Sequence, residues 1–334
     1  MNKHIYIYSP SGAVRDRAAF RRGVRRLQAM GYEVEIDPAA LDSYQRFAGD
    51  DATRLAAIAR AAASGADVAL ISRGGYGLTR ILPDLPYRQV ARAIERGTLF
   101  VGLSDFTAFQ LATLARTGAT TWAGPSLCEG FGAAADPAAG AAVPDEIMLA
   151  CFEDLLLGRS EGTGWRRPKP KPADGAAADR LQRRWLAEDA AYAVHDAVLW
   201  GGNLSVLCAL LSTPYWPAVQ GGILFLEDVA EHPYRIERML TQLLHAGVLA
   251  SQRAILLGHF TDYRLSSHDR GFNLESVIRW LRSQLKVPVL THLPFGHVPT
   301  KVLLPIGQRC DLHVQGREVL LLWGHAHGHG DGAD

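Results

Sequence analysis

Residues 98–105 read Thr-Leu-Phe-Val-Gly-Leu-Ser-Asp, an apolar run that leads directly into Ser104. Short apolar runs of this kind are typical of buried strands. Alanine and leucine recur at helical spacing after the serine, up to a glycine at position 118 that can end a helix. The pattern predicts a strand, a tight turn and a helix, with the serine hydroxyl projecting above the edge of a sheet. A simple helix cap is the alternative role for this serine.

The segments that precede this stretch show the same alternation. Strands are predicted at 4–8 and 67–72, each followed by a glycine-containing turn, and helices at 14–30 and 53–63. This order predicts an α/β fold with a mostly parallel sheet flanked by helices, of flavodoxin or amidotransferase type. Ligands of such sheets gather at the carboxyl ends of the strands, where Ser104 lies.

Changes in composition divide the chain into four parts. We expect a nucleophile-bearing domain at 1–155, a linker rich in Pro, Lys and Arg at 156–194, a smaller C-terminal α/β domain of swivelling β/β/α character at 195–322, and a flexible His/Gly-rich tail at 323–334. Prolines alternate with lysines in the linker, which favours an extended, solvated segment. The tail's histidines can chelate metal loosely, but they bring no carboxylate at fixed geometry, so no catalytic metal is predicted.

The composition is that of an ordinary globular protein and argues against several partners. The 334 residues are 48% hydrophobic and 21% charged, with a formal net charge of +1. This balance predicts neither a nucleic-acid nor a membrane partner, and no apolar stretch approaches the ~18 residues that a membrane span requires. The apolar run near the N-terminus is too short for a signal-peptide core, and the cysteines form no CxxC pair. A reducing cytoplasm is the expected location.

Three further segments carry candidate chemistry. Glycines at 74, 75 and 77 follow the strand at 67–72, and their backbone amides can cradle an oxyanion or a phosphate. Their spacing matches neither a dinucleotide-binding fingerprint nor a P-loop, and a tight turn without a ligand remains open. Glu227 ends a predicted strand at 222–228, and His297 follows another in a loop constrained by proline and glycine. Carboxylates at such strand ends are usually solvated or hydrogen-bonded into a site.

Six motifs in chain order carry a family resemblance. They are Ser9-Pro10-Ser11-Gly12, Arg73-Gly74-Gly75-Tyr76-Gly77, Gly102-Leu103-Ser104-Asp105, Gly201-Gly202-Asn203-Leu204, Leu226-Glu227-Asp228 and Phe295-Gly296-His297. From Ser9 to about Val314, with the linker as an interruption, the chain resembles the LD-carboxypeptidases, also called muramoyltetrapeptide carboxypeptidases. It departs from the commonest family motif at Leu103, where Tyr or His is frequent, and in its long basic linker.

The resemblance implies a catalytic triad. The serine of the G-x-S-D motif falls on Ser104, the glutamate of L-E-D on Glu227 and the histidine of F-G-H on His297. It also implies an oxyanion hole, with one donor in the backbone N–H of Asp105 and a second, we expect, in that of Gly75. In this arrangement the serine attacks, the histidine takes and returns the proton, and the glutamate orients the imidazole.

The resemblance further implies a substrate and a setting. Members of the family remove the terminal D-Ala from the murein tetrapeptide during cytoplasmic recycling of cell-wall fragments, without metal or organic cofactor, and the family habit is a homodimer. Arg73 is a candidate to pair with the terminal carboxylate, with a structural role as the equal alternative, and Tyr76 and Asn203 are expected to contact the substrate. Two alternatives remain open. A relative of the microcin-immunity type would cleave peptide–nucleotide conjugates, and a non-catalytic protein would bind a nucleotide or a sugar.

Overall fold

Two β-sheets with attached helices make up the structure, a computed structural model that describes residues 3–134, 143–169 and 184–324. The first sheet contains β1 (His4–Tyr8), β2 (Glu33–Ile36), β3 (Val68–Ile71), β4 (Leu99–Gly102), β5 (Thr121–Ala123) and β11 (Leu304–Ile306). The second contains β6 (Gly162–Arg166), β7 (Ala191–Asn203), β8 (Ile223–Val229), β9 (Ala254–Thr261), β10 (Val289–Leu290), β12 (Arg309–Gln315) and β13 (Glu318–Leu322). The α-helices are α1 (Arg17–Ala29), α2 (Asp51–Ala63), α3 (Leu78–Ile81), α4 (Tyr87–Glu95), α5 (Phe106–Thr117), α6 (Glu146–Leu156), α7 (Leu204–Leu210), α8 (Pro233–His245) and α9 (Leu274–Gln284).

The first sheet has the parallel core that the alternating pattern predicts. Its strand order is β11-β5-β4-β3-β1-β2, and the strands from β1 to β5 run parallel. Every residue of β3 is buried, as expected for a central strand that helices cover on both faces. Because β3 and β4 are neighbours, their carboxyl ends bring the glycine turn beside Ser104.

The second sheet joins a parallel half to an antiparallel half. Its order is β10-β9-β8-β7-β12-β13-β6, with β7 to β10 parallel and the other pairings antiparallel. β12 and β13 form an antiparallel hairpin. The long strand β7 pairs with β8 through its second half, which carries Asn203 to a position opposite Glu227.

Two strands, β6 and β11, belong to sheets other than those expected from the predicted domain boundaries. β6 lies inside the predicted linker yet pairs with β13 at the edge of the second sheet, and β11 lies inside the predicted C-terminal domain yet completes the first sheet against β5. Gly162 and Gly164 in β6 and Pro305 in β11 weaken the strand pattern, and such residues are tolerated at sheet edges. The prolines and lysine at 170–172 and the His/Gly-rich stretch from 325 onward lie outside the described residues.

The two sheets meet at α5. Asn203 N, at the end of β7, donates to Thr107 Oγ1 on α5 at 3.0 Å. Gly202 has a φ of 131°, and a Cβ added to it would lie 2.6 Å from Thr107 Oγ1, so a side chain would prevent this approach. The helix that follows Ser104 therefore rests directly on the strand beside Glu227. Within the described residues, the structure contains no helix of the length and apolarity needed to cross a membrane.

Candidate active site

Ser104 occupies a strained turn between β4 and α5. Its φ of 67° lies in the left-handed region, which non-glycine residues rarely adopt. A Cβ added to Gly74 would lie 2.6 Å from the Ser104 Cβ, so the glycine turn can approach the serine only without a side chain. Asp105 is the cap residue of α5, and no side chain caps this end by a hydrogen bond. Ser104 is therefore not a simple helix cap, and strain of this kind is typical of functional turns.

Asp105 links two of the sequence motifs and the residue that follows a third. Its buried carboxylate accepts hydrogen bonds from Ser11 Oγ at 2.5 Å and from Leu78 N at 2.9 Å. Burial raises the pKa of the Asp105 carboxyl above its ordinary value, although these hydrogen bonds oppose the shift. The backbone N–H groups of Asp105 and Gly75 donate to no acceptor within the described residues. Both amides are therefore free to bind a ligand.

Glu227 and His297 form a short, buried hydrogen bond. Glu227 is 0% exposed near the end of β8, and its Oε2 lies 2.7 Å from His297 Nδ1. Burial alone would lower the pKa of His297, but the hydrogen bond and the negative charge of Glu227 outweigh it and raise that pKa above its ordinary value. Because Nδ1 faces the carboxylate, Nε2 is the nitrogen that remains for proton exchange.

Asn203 and Asp228 support this pair. Asn203 Nδ2 donates to Glu227 Oε1 at 3.2 Å and to Asp228 Oδ1 at 3.1 Å. Asp228 Oδ2 also accepts from Ser205 N at 2.9 Å. Burial, followed by the charge of Glu227, raises the pKa of Asp228 to about 6. This role of Asp228 was not predicted from the sequence, although its place directly after Glu227 in the L-E-D motif is a usable signal.

One cavity of about 690 Å³ is lined by two members of the predicted triad. Ser104, His297 and Gly75 line it, along with Arg73 and Leu103. The hydrogen bond of His297 within the described residues runs to the buried carboxylate, and none joins the imidazole to Ser104 Oγ. Enzymes without substrate commonly show this catalytic hydrogen bond long or unformed. The arrangement therefore suits a serine nucleophile and a histidine base that face the same space.

The residues predicted to contact substrate take three different positions. Arg73 lines the cavity, its Nη1 donates to Ala13 O at 3.3 Å, and burial lowers the pKa of its guanidinium. Tyr76 is 44% exposed and packs on Phe47, with ring centroids 5.9 Å apart, beside an adjoining cavity of about 370 Å³. Asn203 is buried and does not line the larger cavity, so its contacts position a carboxylate.

Lys301 is a cavity residue that the sequence analysis missed. It is 3% exposed and forms no ion pair with the carboxylates that the structure describes. Burial lowers the pKa of the Lys301 ammonium, while the charges of Glu129, Glu227 and Asp145 oppose that effect. Charges of both signs line the cavity: Arg15, Arg73 and Lys301 against Glu129, Asp145 and Asp262. Such a wall suits a substrate that itself carries both charges, and no pattern in a single sequence identifies loop residues of this kind.

Models of known protein families match both halves of the chain. The model of the LD-carboxypeptidase N-terminal domain matches residues 5–124, and the model of the C-terminal domain matches residues 196–312. A murein tetrapeptide carboxypeptidase of Pseudomonas aeruginosa is 30% identical over 239 residues, which cover 71% of this chain and 69% of that protein.

Solved structures share the architecture. Muramoyltetrapeptide carboxypeptidase from Oxalobacter formigenes matches with a TM-score of 0.78 and 36% identity, over 96% of this chain and 98% of that one. The microcin C7 self-immunity protein MccF, in complex with aspartyl sulfamoyl adenosine, has a TM-score of 0.78 over 96% of each chain, but at 20% identity it shows a common fold alone. From the two domain models, the relatives and the serine-bearing turn beside a Glu–His pair, we conclude that this chain belongs to the LD-carboxypeptidase family of serine peptidases.

Proposed function

We propose that this protein is an L,D-carboxypeptidase that releases the terminal D-Ala from the murein tetrapeptide L-Ala-D-Glu-meso-diaminopimelate-D-Ala, in cytoplasmic recycling of peptidoglycan. The observation that carries the proposal is the Glu227–His297 hydrogen bond at a cavity that the strained Ser104 also lines. The murein tetrapeptide carboxypeptidase among its relatives supports this choice of substrate.

Acylation begins at Ser104. Its Oγ attacks the carbonyl carbon at the L-centre of diaminopimelate, and His297 Nε2 takes the hydroxyl proton. Glu227, bonded to Nδ1, orients the ring and stabilises the imidazolium. We assign the oxyanion to the free N–H groups of Asp105 and Gly75, with further stabilisation from the positive end of α5.

Collapse of the tetrahedral intermediate breaks the peptide bond. His297 returns its proton to the amine of D-Ala, which leaves, and the tripeptide stays on Ser104 as an ester. A water molecule then attacks the ester, with the same imidazole as base, and the returning proton restores the serine hydroxyl. Apart from this water, the chain's own residues supply the nucleophile, the base and the oxyanion donors of the reaction.

Arg73 and Lys301 are our candidates for binding the free carboxylate of D-Ala. Both are cations on the cavity wall, and Lys301 is almost fully buried. A buried charge is costly unless it is paired, and a substrate carboxylate would provide the pairing that the described residues do not. The guanidinium of Arg73 adds a planar fork that matches a carboxylate.

Release of D-Ala from the tetrapeptide tests the proposal. Ser104→Ala should lower turnover on the order of 10^6-fold, as in other triads, while Ser283→Ala, at an exposed serine on α9, should leave it unchanged. Activity should also survive excess chelator. Near-normal release by the Ser104→Ala protein would refute the assignment of the nucleophile.

Two other substrates are distinguished by parallel assays. Hydrolysis of an aminoacyl-sulfamoyl adenosine, at a rate above that of D-Ala release, would favour the peptide–nucleotide alternative. Nucleotide binding in calorimetry, together with failure of a fluorophosphonate to label Ser104, would favour a non-catalytic protein. The homodimer implied by the family resemblance stays a prediction, which light scattering measures directly.

A further inference from the structure

A second cluster of polar side chains lies on an outer face of the second sheet. It comprises His195 on β7 and Asp311 and His313 on β12, none of which lines the catalytic cavity. Their ligand atoms all lie within 4.8 Å of one another, and His195 Nδ1 is 3.3 Å from Asp311 Oδ2. Across residues 3–134, 143–169 and 184–324, no other group of three or more potential metal ligands is this close.

The antiparallel pairing of β7 with β12 places the histidine of β7 beside the other two residues. Asp311 and His313 are two positions apart on β12, so their side chains share a face of the sheet. The register between β7 and β12 shifts around Asp311, and Asp196 takes a φ of 50° there. Because His313 pairs with Ala193 and Leu312 with Val194, the next residue of β7, His195, lies opposite Asp311, and Asp196 is the extra residue of the bulge.

Surrounding contacts hold the carboxylate and the bulge in place. Asp311 Oδ1 accepts a hydrogen bond from Asp196 N at 2.7 Å, which leaves Oδ2 for the cluster. Arg309 Nη1 pairs with Asp196 Oδ2 at 2.9 Å, and Arg253 Nη1 donates to His195 O at 2.6 Å. These contacts hold Asp311 Oδ2 close to the two imidazoles.

We propose that His195, Asp311 and His313 bind a divalent cation of the zinc class. Two imidazoles and one carboxylate are ligands that Zn²⁺ accepts readily. Metal–ligand bonds of about 2.1 Å in tetrahedral geometry place donors roughly 3.4 Å apart, so side-chain rotations close the site without moving the strands. The hydrogen bond from Asp196 orients the ligating carboxylate as outer-shell partners commonly do. Because the face is open, water completes the coordination.

The site would fasten β7 to β12 without taking part in peptide cleavage. His195 and Asn203 are eight residues apart on β7, which corresponds to about 26 Å along an extended strand. A cation at this distance does not reach the substrate. A ligand that binds only the folded chain stabilises it, and a hundredfold excess over Kd should raise Tm by about 2–4 °C for a protein of this size.

Calorimetric titration with Zn²⁺ tests the proposal. The full chain is used with His325, His327 and His329 replaced by alanine, because those tail histidines can bind metal themselves. We expect one Zn²⁺ per chain, with affinity reduced at least tenfold by His313→Ala or Asp311→Asn. His245→Ala, at an exposed histidine on α8, is the matched control and should leave the affinity unchanged.

Two outcomes would overturn the proposal. One is the absence of binding at 100 µM Zn²⁺, on the order of a hundred times the Kd of a micromolar site. The other is unchanged affinity in Asp311→Asn, a conservative change whose folding is checked by circular dichroism. D-Ala release is measured in parallel and should be equal with and without the cation, so failure of the metal site and failure of the proposed peptidase activity are separate results.

Discussion

Replacing Glu227 by Gln removes one negative charge from the centre of the triad while preserving its size. Glu227 is 0% exposed and its Oε2 lies 2.7 Å from His297 Nδ1, so no water can substitute for the lost charge. In triads of this kind, neutralising the acidic member lowers kcat by about 10^4-fold. At about 1.36 kcal/mol for each factor of ten, this loss corresponds to roughly 5.4 kcal/mol of transition-state stabilisation.

The same variant should shift the pH profile. His297 must be neutral to take a proton, so kcat/KM falls as the pH drops through the pKa of His297. Glu227 raises that pKa in the native protein, which sets the acid limb above about 6.5, the value of a free histidine. In Glu227→Gln, burial remains and the raising charge is gone, so the limb should move to lower pH.

Both effects are measured by D-Ala release between about pH 5 and pH 9, a range that brackets the pKa of a free histidine. Glu95→Gln, at an exposed glutamate in the last turn of α4, is the matched control and should change neither quantity. A Glu227→Gln enzyme within tenfold of native activity, or with an unmoved acid limb, would show that the Glu227–His297 hydrogen bond is structural.

Three further substitutions probe the support of the site. Asn203→Ala removes the hydrogen-bond donor shared by two buried carboxylates. It should lower the free energy of unfolding, measured in urea, by about 2 kcal/mol and lower kcat at least tenfold. Unchanged stability would contradict the positioning role of Asn203. Ser104→Gly should be inactive yet about 1 kcal/mol more stable, because glycine adopts a positive φ without strain; a less stable variant would argue against strain in this turn. Lys301→Met should raise KM for the tetrapeptide about tenfold, which corresponds to the loss of one charge-assisted hydrogen bond. Fluorophosphonate labelling of Ser104 should not slow. An unchanged KM would mean that Arg73 alone binds the substrate carboxylate.

The local units of the fold could be predicted because their signals are local. The strand, turn and helix around Ser104 follow from an apolar run and a helical repeat. β6 and β11 escaped because glycine and proline dilute their strand patterns, and their pairing partners lie more than a hundred residues away in sequence. Pairing with distant segments, more than the local sequence, determines that these two segments are strands.

The site was predictable to a different degree. Ser104 can be identified as a candidate nucleophile from the residues around it in sequence. Glu227 and His297 are recognisable as catalytic residues only as a pair, and the family resemblance supplied that pairing. Asp228 and Lys301 were identified from the structure, because their roles depend on burial and on charges from other segments. A single sequence carries no record of such distances.

The placement of β11 also bears on how the chain reaches its folded state. Leu304–Ile306 pairs with Thr121–Ala123 and covers the outer edge of β5. During synthesis, the first sheet can therefore add its last strand only after residues 304–306 have been made. Until then β5 presents an open row of backbone donors and acceptors, to which a neighbouring nascent chain can add a strand. A fragment that stops at the proline-rich segment would keep this edge uncovered, and should aggregate through it more readily than the chain that contains β11.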